Sequence, residues 1–213
     1  ARLHWRLLFF SLLSLALSHP ALAKKTNISQ SKSAKPLNTK KQGKAVKVLM
    51  TTNMGDIHIE VYPDKAPKTV ANFLQYVNEG FYNGLVFHRV IKGFMIQGGG
   101  FDKAIHQRPT KAAIHNEADN GLKNKAMTLA MARTNDPHSA SSQFFINAVD
   151  NAFLDFTSKT AGGWGYAVFG QVTSGQDVVK KIENVATHTQ NQMQDVPKSP
   201  VIIETMKSVK EDQ

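Results

Sequence analysis

Between residues 46 and 206 the chain is a succession of short β-rich runs punctuated by turn residues, and only two stretches repeat at helical spacing. That pattern constrains the fold more than any other feature. Residues 46–51 and 57–62, joined by Asn53-Met54-Gly55-Asp56, read as a hairpin. In its second run Ile57, Ile59 and Val61 alternate with His58 and Glu60, the period of a half-buried strand. Further strands are expected at 85–91, 94–97, 127–133, 143–149, 166–172 and 201–206. In 85–91 simple alternation places Leu85, Phe87, Arg89 and Ile91 on one face and Val86, His88 and Val90 on the other. Pro67 opens a helix whose apolar positions Val70, Phe73, Leu74 and Val77 fall on one side, with Gly80 as its stop. Residues 175–185 form a second, shorter amphipathic pattern through Val178, Val179, Ile182 and Val185. There is no βαβ alternation and no repeat of 20 to 50 residues, so the expectation is a β-barrel or sandwich with helices over its ends.

Charge separates the chain into segments. The 213 residues carry 26 Lys+Arg and 16 Asp+Glu, a net charge of +10 that by itself would point to nucleic acid. Residues 1–23 hold only Arg2 and Arg6, followed by an apolar run over 7–17 and Ala21-Leu22-Ala23, the layout of a secretory signal peptide. The run is shorter than the ~20 apolar residues of a transmembrane helix. Residues 24–45 carry seven lysines and no acid and read as a flexible Lys-rich linker. From residue 46 onward 17 basic residues face 16 acidic ones, so the expected folded domain, 46–207, is nearly neutral. Residues 208–213 read as a polar tail. The excess charge therefore sits on the extension. Specific nucleic-acid binding is not expected, because the linker has no aromatic residues for stacking; weak contact with anionic surfaces is the most it supports. Without cysteine there is no disulfide framework and no thiolate metal site.

Few residues announce chemistry. Arg89 interrupts an apolar, β-branched run, where a guanidinium needs either a partner or a groove. Gln97 and Gln143 stand inside apolar stretches, where a buried amide persists through a specific partner. Gly98-Gly99-Gly100 lacks the spacing of a phosphate loop. His106 and His115 show no metal-ligand spacing, and Ser139, Ser141 and Ser142 have no nucleophile-elbow setting. Taken alone, Phe94, Met95, Phe144, Phe145, Phe153, Leu154 and Phe156 read as core rather than pocket. These patterns reach as far as an apolar β-groove containing an arginine.

Five ordered segments carry a resemblance. Phe87-His88-Arg89-Val90-Ile91, Gly93-Phe94-Met95-Ile96-Gln97-Gly98-Gly99, Leu129-Ala130-Met131-Ala132-Arg133, Ser142-Gln143-Phe144-Phe145-Ile146-Asn147 and the APKTVANFLQYVNEGFY stretch ending at Tyr82 closely resemble cyclophilin-type peptidyl-prolyl cis-trans isomerases. The match spans about 46–206 and is most similar to the bacterial periplasmic branch. It implies a mainly β fold, a closed eight-stranded antiparallel barrel capped by two helices. By motif, Arg89 matches the catalytic arginine and Gln97 the glutamine that orients with it. Phe94, Met95, Phe145 and Leu154 match the proline pocket, and Met131, Ala132, Arg133 and Gln143 its rim. Phe153 stands where many eukaryotic members have Trp, and Tyr166 where they have His; both keep an aromatic wall but weaken the case for tight cyclosporin binding. Lys92 replaces a proline common after the arginine strand, which is expected to loosen that turn.

The resemblance implies an enzyme that accelerates rotation about X–Pro bonds in proline-containing polypeptides and so assists folding. It requires no cofactor and no metal. The alternative reading is a non-catalytic chaperone that grips Pro-containing segments. With the signal peptide, the expectation is a monomeric protein exported to the periplasm, with secretion as the second choice.

Overall fold

The computed structural model describes residues 44–209; the expected signal peptide at 1–23, most of the expected linker and the last four residues of the expected tail lie outside the described residues. Ten strands and two α-helices follow in the order β1 (Val46–Thr52), β2 (Gly55–Val61), α1 (Pro67–Asn78), β3 (Leu85–Ile91), β4 (Met95–Asp102), β5 (Thr128–Met131), β6 (Phe144–Asn147), β7 (Val168–Ser174), α2 (Gln176–Glu183), β8 (Thr187–Gln190), β9 (Met193–Pro197) and β10 (Ile203–Val209). Eight strands make one antiparallel sheet in the order β10-β1-β2-β7-β5-β6-β4-β3. Its edges meet: the Gly84 N–H donates to the Ile203 carbonyl (2.7 Å) and the Phe87 N–H to that of Val201 (2.9 Å). The sheet thus curls into a barrel whose last seam is these bonds rather than a full ladder.

The interior follows the period-2 pattern where the ladders are regular. Val48 and Met50 of β1 and Ile57, Ile59 and Val61 of β2 are buried in one cluster with Leu129, Phe144, Ile146 and Phe169. Helix α1 closes one side with Val70, Phe73, Tyr76 and Val77 buried, while Leu74 is only partly covered. Phe73 packs against the rings of Tyr82, Phe144 and Phe169 at 5.6, 5.8 and 5.1 Å. Tyr76 tolerates complete burial because its hydroxyl accepts the Lys111 N–H (2.8 Å).

Both helices begin without a side-chain cap of their own. In α1 the free N–H groups of Lys68 and Thr69 instead donate to the Glu117 carboxylate, which also accepts the Thr69 hydroxyl. Helix α2 packs its Val178 over Gly55 of the first hairpin, where a Cβ would come within 2.8 Å of the valine methyl. The sequence pattern did not show the separate hairpin β8–β9. β8 is polar throughout, the apolar Met193, Val196 and Pro197 of β9 do not alternate, and the turn places Asn191 and Gln192 at φ 49° and 65° without the glycine that usually marks such a turn.

Candidate active site

The sheet has a second apolar side. Met95, Ala130, Phe145, Leu154 and Val168 form a cluster distinct from the interior, joined by the partly buried Ile91, Phe94, Ala132 and Tyr166. Alternation along the strands explains the division: in β6, Phe144 and Ile146 point inward and Phe145 outward, and in β5, Leu129 and Met131 point inward and Ala130 outward.

Strand β3 breaks its own alternation, and that places Arg89. Phe87 pairs with Gly98 and Arg89 with Gln97, so two steps along β3 match one along β4 and His88 is the extra residue of a β-bulge. Leu85 and Phe87 point into the interior; after the bulge it is Val90 that does so, and Arg89 and Ile91 turn to the outer side. Arg89 therefore does not share a face with Leu85 and Phe87, as simple alternation had it. Its side chain is 44% exposed, which removes the cost of burying a guanidinium. The bulged His88 is buried against Phe101, with its Nδ1 unpartnered. Burial, together with the neighbouring Arg89 charge, outweighs a hydrogen bond to the Val86 backbone and pushes its pKa down to about 4.

Over the outer cluster lies a cavity of about 170 Å³. Phe94, Met95, Phe145 and Leu154 supply apolar surface; Arg89, Gln97, Ala132, Arg133 and Tyr166 complete the lining. Nine of the twelve residues singled out from the sequence converge here. Gln143 lines an adjoining, more polar cavity of about 280 Å³ with Gln107, Thr134, Ser139 and Ser141. Phe153 is 74% exposed at the rim and stacks on Phe94 at 5.6 Å. Met131 is corrected by the structure: it packs into the interior, and the shorter Ala130 lies beneath the groove instead.

Hydrogen bonds hold the wall rigid. Arg133 Nε donates to the Gly165 carbonyl (2.9 Å) and an Nη to that of Thr134 (2.8 Å), with the guanidinium 4.5 Å over the Tyr166 ring. Gly165 has φ 64°, and a Cβ there would lie 2.6 Å from the Leu154 carbonyl oxygen. Gln97 faces Arg89 in register, yet its amide nitrogen donates to Gln143 Oε1 (2.9 Å). The glycine run in β4 makes room for that pair: a Cβ on Gly100 would come within 2.6 Å of Gln143 Cγ.

Three asparagines, to which sequence reasoning assigned no role, brace the site from below. Asn151 donates to the carbonyls of Phe94 (3.0 Å) and Asn147 Oδ1 (2.7 Å), Asn147 donates to Asn124 Oδ1 (3.2 Å), and Asn124 donates to the Leu154 carbonyl (3.1 Å). For Asn147, inside an apolar run, the signal was present, the same criterion that drew attention to Gln97 and Gln143; Asn124, between Lys123 and Lys125, carried no such sign. The turn after β3 is also braced. Despite Lys92 it is not loose, because the Gly93 N–H donates to the buried Glu183 carboxylate (2.8 Å). Burial pushes the Glu183 pKa up, but hydrogen bonds from Lys180 and Gly93, with the Lys180 and Lys92 charges, hold it below the usual range. Among the described residues no three His, Asp or Glu side chains gather as a metal-ligand set.

The fold and site together are a curled eight-stranded antiparallel sheet with two helices and an outer-face cavity that sets Arg89 beside Phe94, Met95, Phe145 and Leu154. Residues 47–208 match the family model for the cyclophilin type peptidyl-prolyl cis-trans isomerases. Peptidyl-prolyl cis-trans isomerase B of Escherichia coli is 60% identical over 159 residues, covering 75% of this chain and 97% of that protein. Peptidyl-prolyl cis-trans isomerase A of Dickeya dadantii is 50% identical over 163 residues, covering 76% and 84% respectively. Among solved structures, a cyclophilin type isomerase of Cryptosporidium parvum, crystallised in the presence of the dipeptide Ala-Pro, is similar with a TM-score of 0.63 at 27% identity, covering 78% of this chain and 99% of that one. The chain belongs to the cyclophilin-type peptidyl-prolyl cis-trans isomerases, on their bacterial branch, and is an isomerase.

Proposed function

We propose that this isomerase acts on proline-containing segments of flexible, exported polypeptides, with Arg89 as its catalytic group and no covalent step. Rotation about an X–Pro bond must break amide resonance, a barrier of ~18–20 kcal/mol. At the top of that barrier the prolyl nitrogen loses its conjugation, becomes pyramidal and accepts a hydrogen bond that it cannot accept when planar. A donor aimed there stabilises the twisted amide more than either ground state, which is the requirement for catalysis. Arg89 suits the role because its guanidinium stays charged and presents a planar set of donors. Phe94, Met95, Phe145 and Leu154 grip the pyrrolidine ring by apolar burial, while Ala132, Arg133 and Gln143 hold the flanking backbone and Gln97 steadies Gln143.

The observation that carries this reading is the juxtaposition of Arg89 with the apolar side chains of Phe94, Met95, Phe145 and Leu154 around one cavity of about 170 Å³. The Ala-Pro dipeptide named with the Cryptosporidium relative supports the choice of substrate. The test is NMR exchange spectroscopy of an X–Pro peptide with the wild type and Arg89→Ala. The expected result is a loss of roughly 10²–10³-fold in the variant, the scale of removing one preorganised donor, with peptide binding retained. Equal exchange rates in both proteins would remove Arg89 from the mechanism, and binding without acceleration by the wild type would favour the chaperone reading. Export to the periplasm rests on residues 1–23, and the mass of the mature protein recovered from that compartment tests it, with cleavage expected after Ala23.

A further inference from the structure

The β8–β9 hairpin stands apart from the eight-stranded sheet, but its second strand packs against β3. Within that strand Asp195 has φ 61°, a left-handed conformation that side-chain-bearing residues rarely adopt and that Asp and Asn tolerate best. In this position its Oδ2 lies 4.0 Å from Arg89 Nε, with both side chains partly exposed. Gln97, the other polar neighbour in register, is engaged with Gln143. Among the described residues Asp195 is the acidic group within ion-pair range of Arg89.

We infer that Asp195 is a positioning residue for Arg89. It attracts the Nε edge of the guanidinium, which leaves the terminal nitrogens to face the cavity where the prolyl nitrogen turns over. A half-exposed arginine without such a partner spreads over many rotamers, and each turnover must then select the productive one. The bent backbone at Asp195 and the bulge at His88 serve the same end from opposite strands: one turns the arginine outward, the other brings a carboxylate to its side. The inference rests on the catalytic role proposed for Arg89 and concerns how that role is held in place.

The full chain with an X–Pro peptide, followed by NMR exchange, provides the test. Asp195→Asn keeps the shape and the tolerance for a left-handed backbone but removes the charge. It is expected to lower kcat roughly three- to fivefold, the scale of one exposed ion pair, with KM within about twofold. Asp195→Gly is expected to lose the same activity without a lower thermal midpoint, because glycine is at ease at this φ. The Arg89 Nε–Hε resonance is expected to shift or broaden in both variants, which a purely structural role for Asp195 would not produce. Unchanged kcat in the two variants, or activity loss that only tracks loss of folded protein, overturns the inference. Arg89→Ala measured alongside keeps the two ideas separate: activity retained there overturns the role of Arg89, whereas activity lost there but kept in Asp195→Asn overturns only the role of Asp195.

Discussion

The β1–β2 and β3–β4 pairs are both antiparallel neighbours in one sheet, and they do opposite work. From Val46↔Val61 to Thr52↔Gly55, β1 and β2 pair through seven consecutive positions without a register shift. Their inward residues all join the interior, and none lines the groove. Strands β3 and β4 suffer two register shifts, and between them they carry Arg89, Met95 and Gln97. A regular ladder sorts apolar from polar side chains and stops there. A broken one re-aims a charged side chain to the outer side of the sheet, beside the groove.

Substitutions on the two pairs should separate stability from activity. The largest effect is expected in the regular ladder. Met50→Ala removes a fully buried side chain and should cost about 2–5 kcal/mol in urea unfolding, while kcat/KM per folded molecule stays at the wild-type value. A comparable loss of specific activity would show that the regular ladder also shapes the groove.

Next comes the bulge. The unfolded chain takes up a proton on His88 near pH 6.5 and the folded protein only near pH 4, so between these values the unfolded state binds more protons. The stability contributed by neutral His88 is complete above pH 6.5 and should fall by about 3 kcal/mol as the pH drops to 4. His88→Leu, compared with the wild type by urea midpoints across this range, should flatten the dependence by about that amount. Equal slopes would mean that His88 is not held neutral by its burial.

A smaller effect is expected at Gly100, where the broken ladder can be altered without harm to the core. The side chain displaced by a Cβ is the flexible Gln143, so Gly100→Ala should keep the fold, break the Gln97–Gln143 bond and lower kcat/KM by about tenfold, equivalent to about 1.4 kcal/mol. Wild-type activity with an intact fold would show the pair to be dispensable. The smallest effect is expected at the rim: Phe153→Ala should change stability by less than about 0.5 kcal/mol, since the ring is mostly solvated. It should weaken peptide binding two- to threefold, roughly the share of one rim ring. A titration calorimetry result matching the wild type would take Phe153 out of the binding surface.

Much of the fold was legible because it rests on local repetition. The Ile57, Ile59, Val61 alternation, the Val70, Phe73, Val77 stripe and the Pro67 start each express a period or a cap within a few residues. The site was legible in a different way. Phe94, Met95, Phe145 and Leu154 carried no sign by composition that set them apart from core, and it was the ordered motifs that marked them. Met131 shows the limit of that route, since a residue inside a matched motif faced the interior. The β8–β9 hairpin escaped notice because β8 is polar on both faces and the apolar Met193, Val196 and Pro197 of β9 do not alternate, which leaves no period to read.

The amino-acid sequence by itself determined the β-rich barrel class, the two covering helices, the near-neutral domain and the residues from which the groove is built. The β-rich class, the helices and the charge balance follow from composition and periodicities that act over a few residues; the barrel and the groove residues were marked by the ordered motifs that resemble the family. Tertiary structure alone decided that Arg89 faces outward, that Glu117 caps a helix 48 residues before it, that the asparagines brace the wall, and that Asp195 reaches the arginine. Each of these depends on a register shift or on a contact between residues far apart in the chain, and neither leaves a mark in the local pattern of side chains.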